Sequence, residues 1–144
     1  DKLGFVGTPT HIKTNVLKEI IKVNEVPVVA PLGLDKNNQT FNINADTAAG
    51  SIAIELKARR LMIISDVEGV LDNKKKLIPE INSKKANELI DREIITGGMI
   101  PKINNCLDVA SKGVKAVVII DGRKNHSLLF ELLSDKGSGT LIRE

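Results

Sequence analysis

Two uninterrupted apolar runs, Leu61-Met62-Ile63-Ile64-Ser65 and Ala116-Val117-Val118-Ile119-Ile120, constrain this chain more than any other feature. A strand with one wet face alternates apolar and polar residues. A run that is apolar at nearly every position suits a strand covered on both faces, as in a parallel sheet layered with helices. Val26-Pro27-Val28-Val29-Ala30-Pro31-Leu32 is a further β-rich run whose prolines suit strand ends. Helical spacing fills the intervals. Val16, Ile20, Ile21 and Val23 form a rough stripe after Thr14, a candidate cap. Ala45, Ala48, Ala49, Ile52, Ala53 and Leu56 recur every three or four residues, as do Ile103, Leu107 and Ala110. Ser83 is a candidate cap for a helix through Ala86, Leu89 and Ile90, Gly113 a candidate stop after Lys112, and Leu128, Leu129, Leu132 and Leu133 mark a last helix. Strands alternating with helices predict an α/β fold: a layered α/β/α domain with a mainly parallel central sheet, one domain over residues 1–144. Leu34–Phe41, crowded with Asp and Asn, reads as a hairpin or protruding loop.

Composition narrows the partners. The net charge of +3 is too small to imply nucleic acid, and three Phe with no Tyr or Trp leave little to stack bases on. The one basic run, Lys74-Lys75-Lys76, reads as a solvated loop. No apolar run approaches a membrane span, and Asp1–Phe5 has no signal pattern and no initiator Met, which suggests a fragment or a processed chain. A single cysteine, Cys106, forms no internal disulfide; a reducing cytoplasm is the expected compartment and a buried helix position its expected place.

Ligands of open α/β sheets bind beyond the carboxyl ends of strands, so the strand-to-helix junctions carry the chemistry. In Asn42-Ile43-Asn44-Ala45-Asp46-Thr47-Ala48-Ala49-Gly50, alternation puts both amides on one side if Asn42 to Asn44 is extended, and Asp46 falls in the first turn of the next helix. Simple capping by Asn44 or Asp46 is one reading. A polar cluster that grips a small anion and orients an ammonium is the other. Ser65-Asp66-Val67-Glu68-Gly69-Val70-Leu71 follows a buried strand and is either a plain turn or a contact for base and ribose. Thr96-Gly97-Gly98-Met99-Ile100-Pro101-Lys102 opens a helix with two glycines, which leaves amides for an anion. Lys102 there opposes the helix dipole, an inconsistency found more often at functional sites; the alternative is a solvated lysine. Asp135–Thr140 resembles a phosphate loop but lacks the Gly-Lys-Ser/Thr ending, so it reads as a turn before a last strand. His11 and His126 have no partner at metal-ligand spacing, and no metal site is expected.

Taken as an ordered set, these three blocks resemble the amino acid kinase family, and within it the branch that phosphorylates N-acetyl-L-glutamate. Gly4-Phe5-Val6-Gly7, Ala30-Pro31-Leu32-Gly33, Ile120-Asp121-Gly122-Arg123 and Gly137-Ser138-Gly139-Thr140 extend the match along essentially the whole chain. The resemblance implies that ATP donates its γ-phosphate to the side-chain carboxylate of N-acetyl-L-glutamate, an arginine-biosynthesis step, with Mg2+ held mainly by the nucleotide phosphates. It implies that Asn42 binds the acceptor carboxylate with Asn44 in support, that Asp46 orients the catalytic lysines, and that Lys102 stabilises charge as the phosphoryl leaves ADP. Asp66, Val67, Glu68, Gly69, Val70 and Leu71, with Ile94, Ile95 and Thr96, would line the ATP site. His126, Glu131 and Gly137 would form part of an inhibitory arginine site. The resemblance further implies a homo-oligomeric, cytoplasmic parent, of which this chain is the C-terminal, nucleotide-binding half. The N-terminal half, with its glycine-rich phosphate contact and second lysine, is absent, so the chain alone is expected to turn over little. Thr8-Pro9-Thr10 departs from the family pattern. The alternatives are a related aminoadipate-type kinase and a non-catalytic nucleotide-binding module.

Overall fold

The structure is a computed structural model that describes residues 4–135 and 137–144. In chain order its elements are β1 (Val6–Gly7), α1 (Thr14–Lys22), β2 (Leu32–Leu34), β3 (Thr40–Ile43), α2 (Ala45–Glu55), β4 (Arg60–Ser65), β5 (Glu80–Ile81), α3 (Ser83–Asp91), α4 (Met99–Ser111), β6 (Ala116–Asp121), α5 (Ser127–Leu133) and β7 (Thr140–Ile142). They form an α/β fold with two mixed sheets, ordered β1-β3-β2 and β4-β6-β7-β5. β1 runs parallel to β3, β4 to β6 and β5 to β7, while β2–β3 and β6–β7 are antiparallel.

The two long apolar runs become β4 and β6, paired from Arg60↔Ala116 to Ser65↔Asp121, so both carboxyl ends emerge together. Val117 and Ile119 face a core shared with Ile103, Cys106 and Val109 of α4 and Ala53 of α2. Val118 and Ile120, turned the other way, are also buried, and α5 lies against β6. That two-sided cover is what a continuously apolar strand requires. Cys106 is fully buried, and desolvation, reinforced by the Asp46 charge, pushes its thiol up to about 12, so it behaves as a small apolar side chain.

The β2–β3 hairpin is present. Asp35 Oδ1 accepts from Asn37 N and Gln39 N, both at 2.8 Å, and Asn38 takes φ 62°. The lysine run lies exposed in a loop closed by Asp72 Oδ1, which accepts from Lys74 N and Lys76 N. Gly113 ends α4 at φ 100°.

Several expectations shift. The Val26–Leu32 run is not a strand: β2 begins only at Leu32, and Val28 is 96% exposed. Pro27 and Pro31 have no N–H for a ladder, so residues 26–30 stay outside the sheet, and Pro31 joins it only through its carbonyl, which accepts from Ile43 N at 2.9 Å. Thr14 is the first residue of α1 rather than its cap, and Lys13 precedes it without a side-chain bond. Asn82, not Ser83, caps α3; its carboxamide oxygen accepts from Lys85 N at 2.9 Å. The leucine-rich segment is helical, yet Leu128, Leu129, Leu132 and Leu133 remain exposed. The Asp135–Thr140 turn leads into β7 as expected; within it Lys136, like Asp1–Leu3 at the other end, lies outside the described residues.

Candidate functional site

β3 ends at Ile43, whose side chain is buried, and the chain turns at Asn44 into α2. Asn44 Oδ1 accepts from Thr47 N at 3.1 Å and from Thr47 Oγ1 at 3.3 Å, which caps the helix. The capping reading of Asn44 therefore holds, but it is not the whole arrangement. Asp46, in the first turn, points away from the cap towards α4.

α4 begins after Gly97, whose φ of 56° makes the turn, and Gly98. Thr96 O and Gly97 O accept from Met99 N and Ile100 N at 3.2 Å each, so those two amides are satisfied within the turn. Pro101 is tolerated in the first turn because its missing N–H has no helical partner there. Lys102 follows. Its Nζ donates to Asp46 Oδ2 at 2.5 Å across 56 positions of sequence. The Lys102 and Asp46 side chains are 20% and 28% exposed. A cation in the first turn of α4 opposes that helix's dipole, and the carboxylate beside it offsets the conflict. A partly desolvated pair of this kind is electrostatically stronger than a surface pair.

Asn44, Asp46, Thr47, Gly98, Pro101, Lys102 and Asn105 line a hollow of about 140 Å³. Asn44, Asp46, Thr47, Gly98, Pro101 and Lys102 fall within two of the junction blocks read from the sequence, with roles expected for Asn44, Asp46 and Lys102; Asn105 falls in no block. Asn105 carries a readable signal. It lies three residues after Lys102, on a helix whose neighbouring positions Ile103, Cys106, Val109 and Ala110 are buried. Asn42 is exposed on β3 and is not part of this lining. It shares a strand side with Asn44, but the chain leaves the strand between the two, so alternation alone does not carry Asn42 into the hollow.

The loop after β4 lies at the carboxyl ends of β4 and β6. Asp66 is exposed, and Ser65 Oγ donates to its Oδ1 at 3.4 Å. Glu68 pairs with Lys124 at 3.1 Å. Gly69 takes φ 135° close against Thr140, where a Cβ would stand 2.6 Å from the hydroxyl. Val70 N donates to that buried hydroxyl at 2.9 Å, and the hydroxyl donates to Ile78 O at 2.7 Å. Val67 and Leu71 are half-buried. Val70 and Ile95 belong to the core cluster, and Ile94 packs against it. Their apolar side chains are drawn inward, so Val70 and Ile95 offer a ligand only backbone atoms. Thr96 is exposed.

Glu131 and Gly137 are adjacent. A Cβ on Gly137 would lie 2.7 Å from Glu131 Oε2, and that oxygen accepts from Ser138 N at 2.8 Å. Arg60 Nη1 donates to Glu131 O at 3.3 Å and lies 3.9 Å from Oε1. His126 is exposed at the left-handed N-cap of α5. Among the described residues, no group of three His, Cys, Asp or Glu is placed to hold a metal ion, and no helix is long and apolar enough to cross a membrane.

The chain matches the model of the amino acid kinase family over residues 1–121. It is 87% identical over 142 residues to the acetylglutamate kinase of Pelagibacter ubique (strain HTCC1062), a match that covers 99% of this chain and 49% of that protein. The chain spans about half the length of the curated relatives it matches. Among solved structures, N-acetylglutamate synthase from Neisseria gonorrhoeae, complexed with coenzyme A and L-arginine, superposes with a TM-score of 0.90 at 25% identity over 96% of this chain and 32% of that one. Carbamate kinase from Giardia lamblia bound to AMP-PNP gives 0.70 at 22% identity over 96% and 46%, a likeness of fold.

Proposed function

The chain belongs to the amino acid kinase family, and from that premise we propose that it is the ATP-binding half of an enzyme that phosphorylates the side-chain carboxylate of N-acetyl-L-glutamate, a step of arginine biosynthesis. The observation that carries the reading is the Asp46–Lys102 contact, which joins two junction blocks 56 positions apart in one polar hollow. The 87% identity to an acetylglutamate kinase supports the choice of acceptor over an aminoadipate-type substrate.

The chemistry asks little of the protein beyond placement. The acceptor carboxylate is already a nucleophile and needs no general base. Catalysis then rests on holding the reactants in line and neutralising charge on the transferring group. Lys102 supplies a positive charge to the oxygens that gain negative character as the phosphoryl leaves ADP. Asp46 fixes that ammonium in place. Asn42 and Asn44 offer uncharged donors to the acceptor carboxylate. The loop 66–71, with backbone atoms of 94–96, receives base and ribose. Mg2+ would neutralise the phosphates, held mainly by the phosphate oxygens themselves. His126, Glu131 and Gly137 form part of an arginine site in this reading, supported by the Glu131–Gly137 contact and by the arginine-bound synthase of the same fold. Ser138 N and Arg60 already engage Glu131, so the ligand guanidinium must share or displace them. A cytoplasmic, oligomeric parent belongs to the same proposal.

The alternative reading of the chain taken alone is a nucleotide-binding module without turnover. Calorimetry of residues 1–144 with Mg-ATP, beside turnover of the full-length protein with N-acetyl-L-glutamate, separates the two. Binding without turnover is expected for the chain, and turnover for the full-length protein. There Lys102→Ala is expected to lower kcat by roughly 10²–10³, the scale of one lost oxyanion donor, with ATP affinity little changed. Unchanged turnover removes Lys102 from the reaction.

A further inference from the structure

The Asp46–Lys102 contact joins two helices, and its geometry is only as good as the register between them. That register is set next to the pair. Asn105 Nδ2 donates to the backbone carbonyl of Asp46 at 3.1 Å. Lys102, Asn105 and Val109 follow one another at helical spacing along the side of α4 that meets α2. On α2, Asp46 and Gly50 stand one turn apart and meet them in order: Asp46 with Lys102 and Asn105, and Gly50 with Asn105 and Val109. Gly50 is buried, and a Cβ built on it would lie 3.5 Å from the Asn105 amide and 2.7 Å from Val109 Cγ2. The missing side chain lets the helices approach until the Asn105 amide reaches the Asp46 carbonyl.

We propose that Asn105 is a positioning residue for the phosphoryl-transfer site, holding the first turn of α2 against α4 so that the Asp46 carboxylate keeps the Lys102 ammonium aimed into the hollow. This rests on the reading of Lys102 given above. The amide is suited to the task. It is half-buried, donates to a backbone carbonyl of the facing helix, and brings no charge to compete for Lys102. A carboxylate at the same place would repel the carbonyl and draw the ammonium off Asp46.

The test is a double-mutant cycle in the full-length protein with N-acetyl-L-glutamate and Mg-ATP. Asn105→Ala is expected to lower kcat about tenfold, with both KM values within about twofold, the pattern of a displaced catalytic group. Introduced on top of Lys102→Ala, it is expected to cost nothing further, because the residue acts only through that ammonium. An equal loss in both backgrounds would show that Asn105 merely supports the fold, and overturns the inference. A loss on Lys102→Ala with none on Asn105→Ala overturns it while leaving the kinase reading intact; no loss on Lys102→Ala ends both. Asn105→Asp, which keeps the shape and reverses the polarity, gives the same comparison if the alanine variant fails to fold, and is expected to lose at least as much kcat.

Discussion

At the scale of single residues, charge is kept in the interior by close partners. Asp121 ends β6 at 2% exposure, and Arg123 folds back over it, with Nε and Nη2 each donating to a carboxylate oxygen at 2.9 Å and the backbone N–H adding a third bond at 2.9 Å. Hydrogen bonds from the Arg123 side chain, then from its backbone, hold the carboxyl down to about 2 against the opposing effect of burial. An unfolded aspartate titrates near about 3.9, so the folded state binds fewer protons between those values. The resulting stabilisation is complete above about pH 4 and is lost as pH falls through about 2. Denaturant titrations at intervals across that window are expected to show a falling midpoint, and Asp121→Asn is expected to flatten the fall. An unchanged slope in the variant would assign the acid sensitivity to other carboxylates.

At the scale of elements, the packing of α2 on α4 decides the site. Alanine is a better helix residue than glycine by roughly 0.5–1 kcal/mol. At position 50, however, its Cβ would press to 2.7 Å on Val109 Cγ2, a stiff β-branched group. Overpacking of that kind costs typically about 1–3 kcal/mol, so Gly50→Ala is expected to be destabilising in chemical denaturation. Adding Val109→Ala is expected to recover stability relative to Gly50→Ala alone, since the clash goes and the helix preference remains; no recovery would mean that another contact controls the approach. The same elements show what the sequence made legible. β4, β6, α2 and α4 are readable because their patterns repeat over many residues and match the side they bury. Caps slip by one place at Asn82 and Ser83 because both are good capping residues and only the turn geometry chooses. The Val26–Leu32 run misleads because β propensity is local, whereas a ladder needs a partner and free N–H groups. Asp46 and Lys102 stand out through their junctions; Asn105 has only its spacing from Lys102 along a helix that buries Ile103, Cys106 and Val109, a signal that gains its meaning from the helix across from it.

At the scale of the whole molecule, burial is uneven. The β4-β6-β7-β5 sheet holds Val117, Val118, Ile119 and Ile120 at no more than 2% exposure, whereas α1 buries no residue and Val6, Val26, Leu32 and Leu34 lie open. Amide exchange tracks the free energy of opening, so the β6 amides are expected to exchange last and those of Thr14–Lys22 among the first. Equal protection of α1 and β6 in a mass-spectrometric or NMR exchange series would contradict that gradient. The alternation of elements predicted an α/β layered domain with one mainly parallel central sheet; the molecule is α/β, but its strands form two mixed sheets, which was not legible because strand pairing between distant segments leaves no periodicity behind.

The long reach between Asp46 and Lys102 has a consequence for how the protein comes into being. Synthesis runs from the amino terminus, so the acid leaves the ribosome more than fifty residues ahead of its amine. Until α4 has emerged and docked, that acid is an ordinary carboxylate on a growing polypeptide. The charge pair therefore waits on the synthesis of α4, and a nascent chain cannot hold it before then.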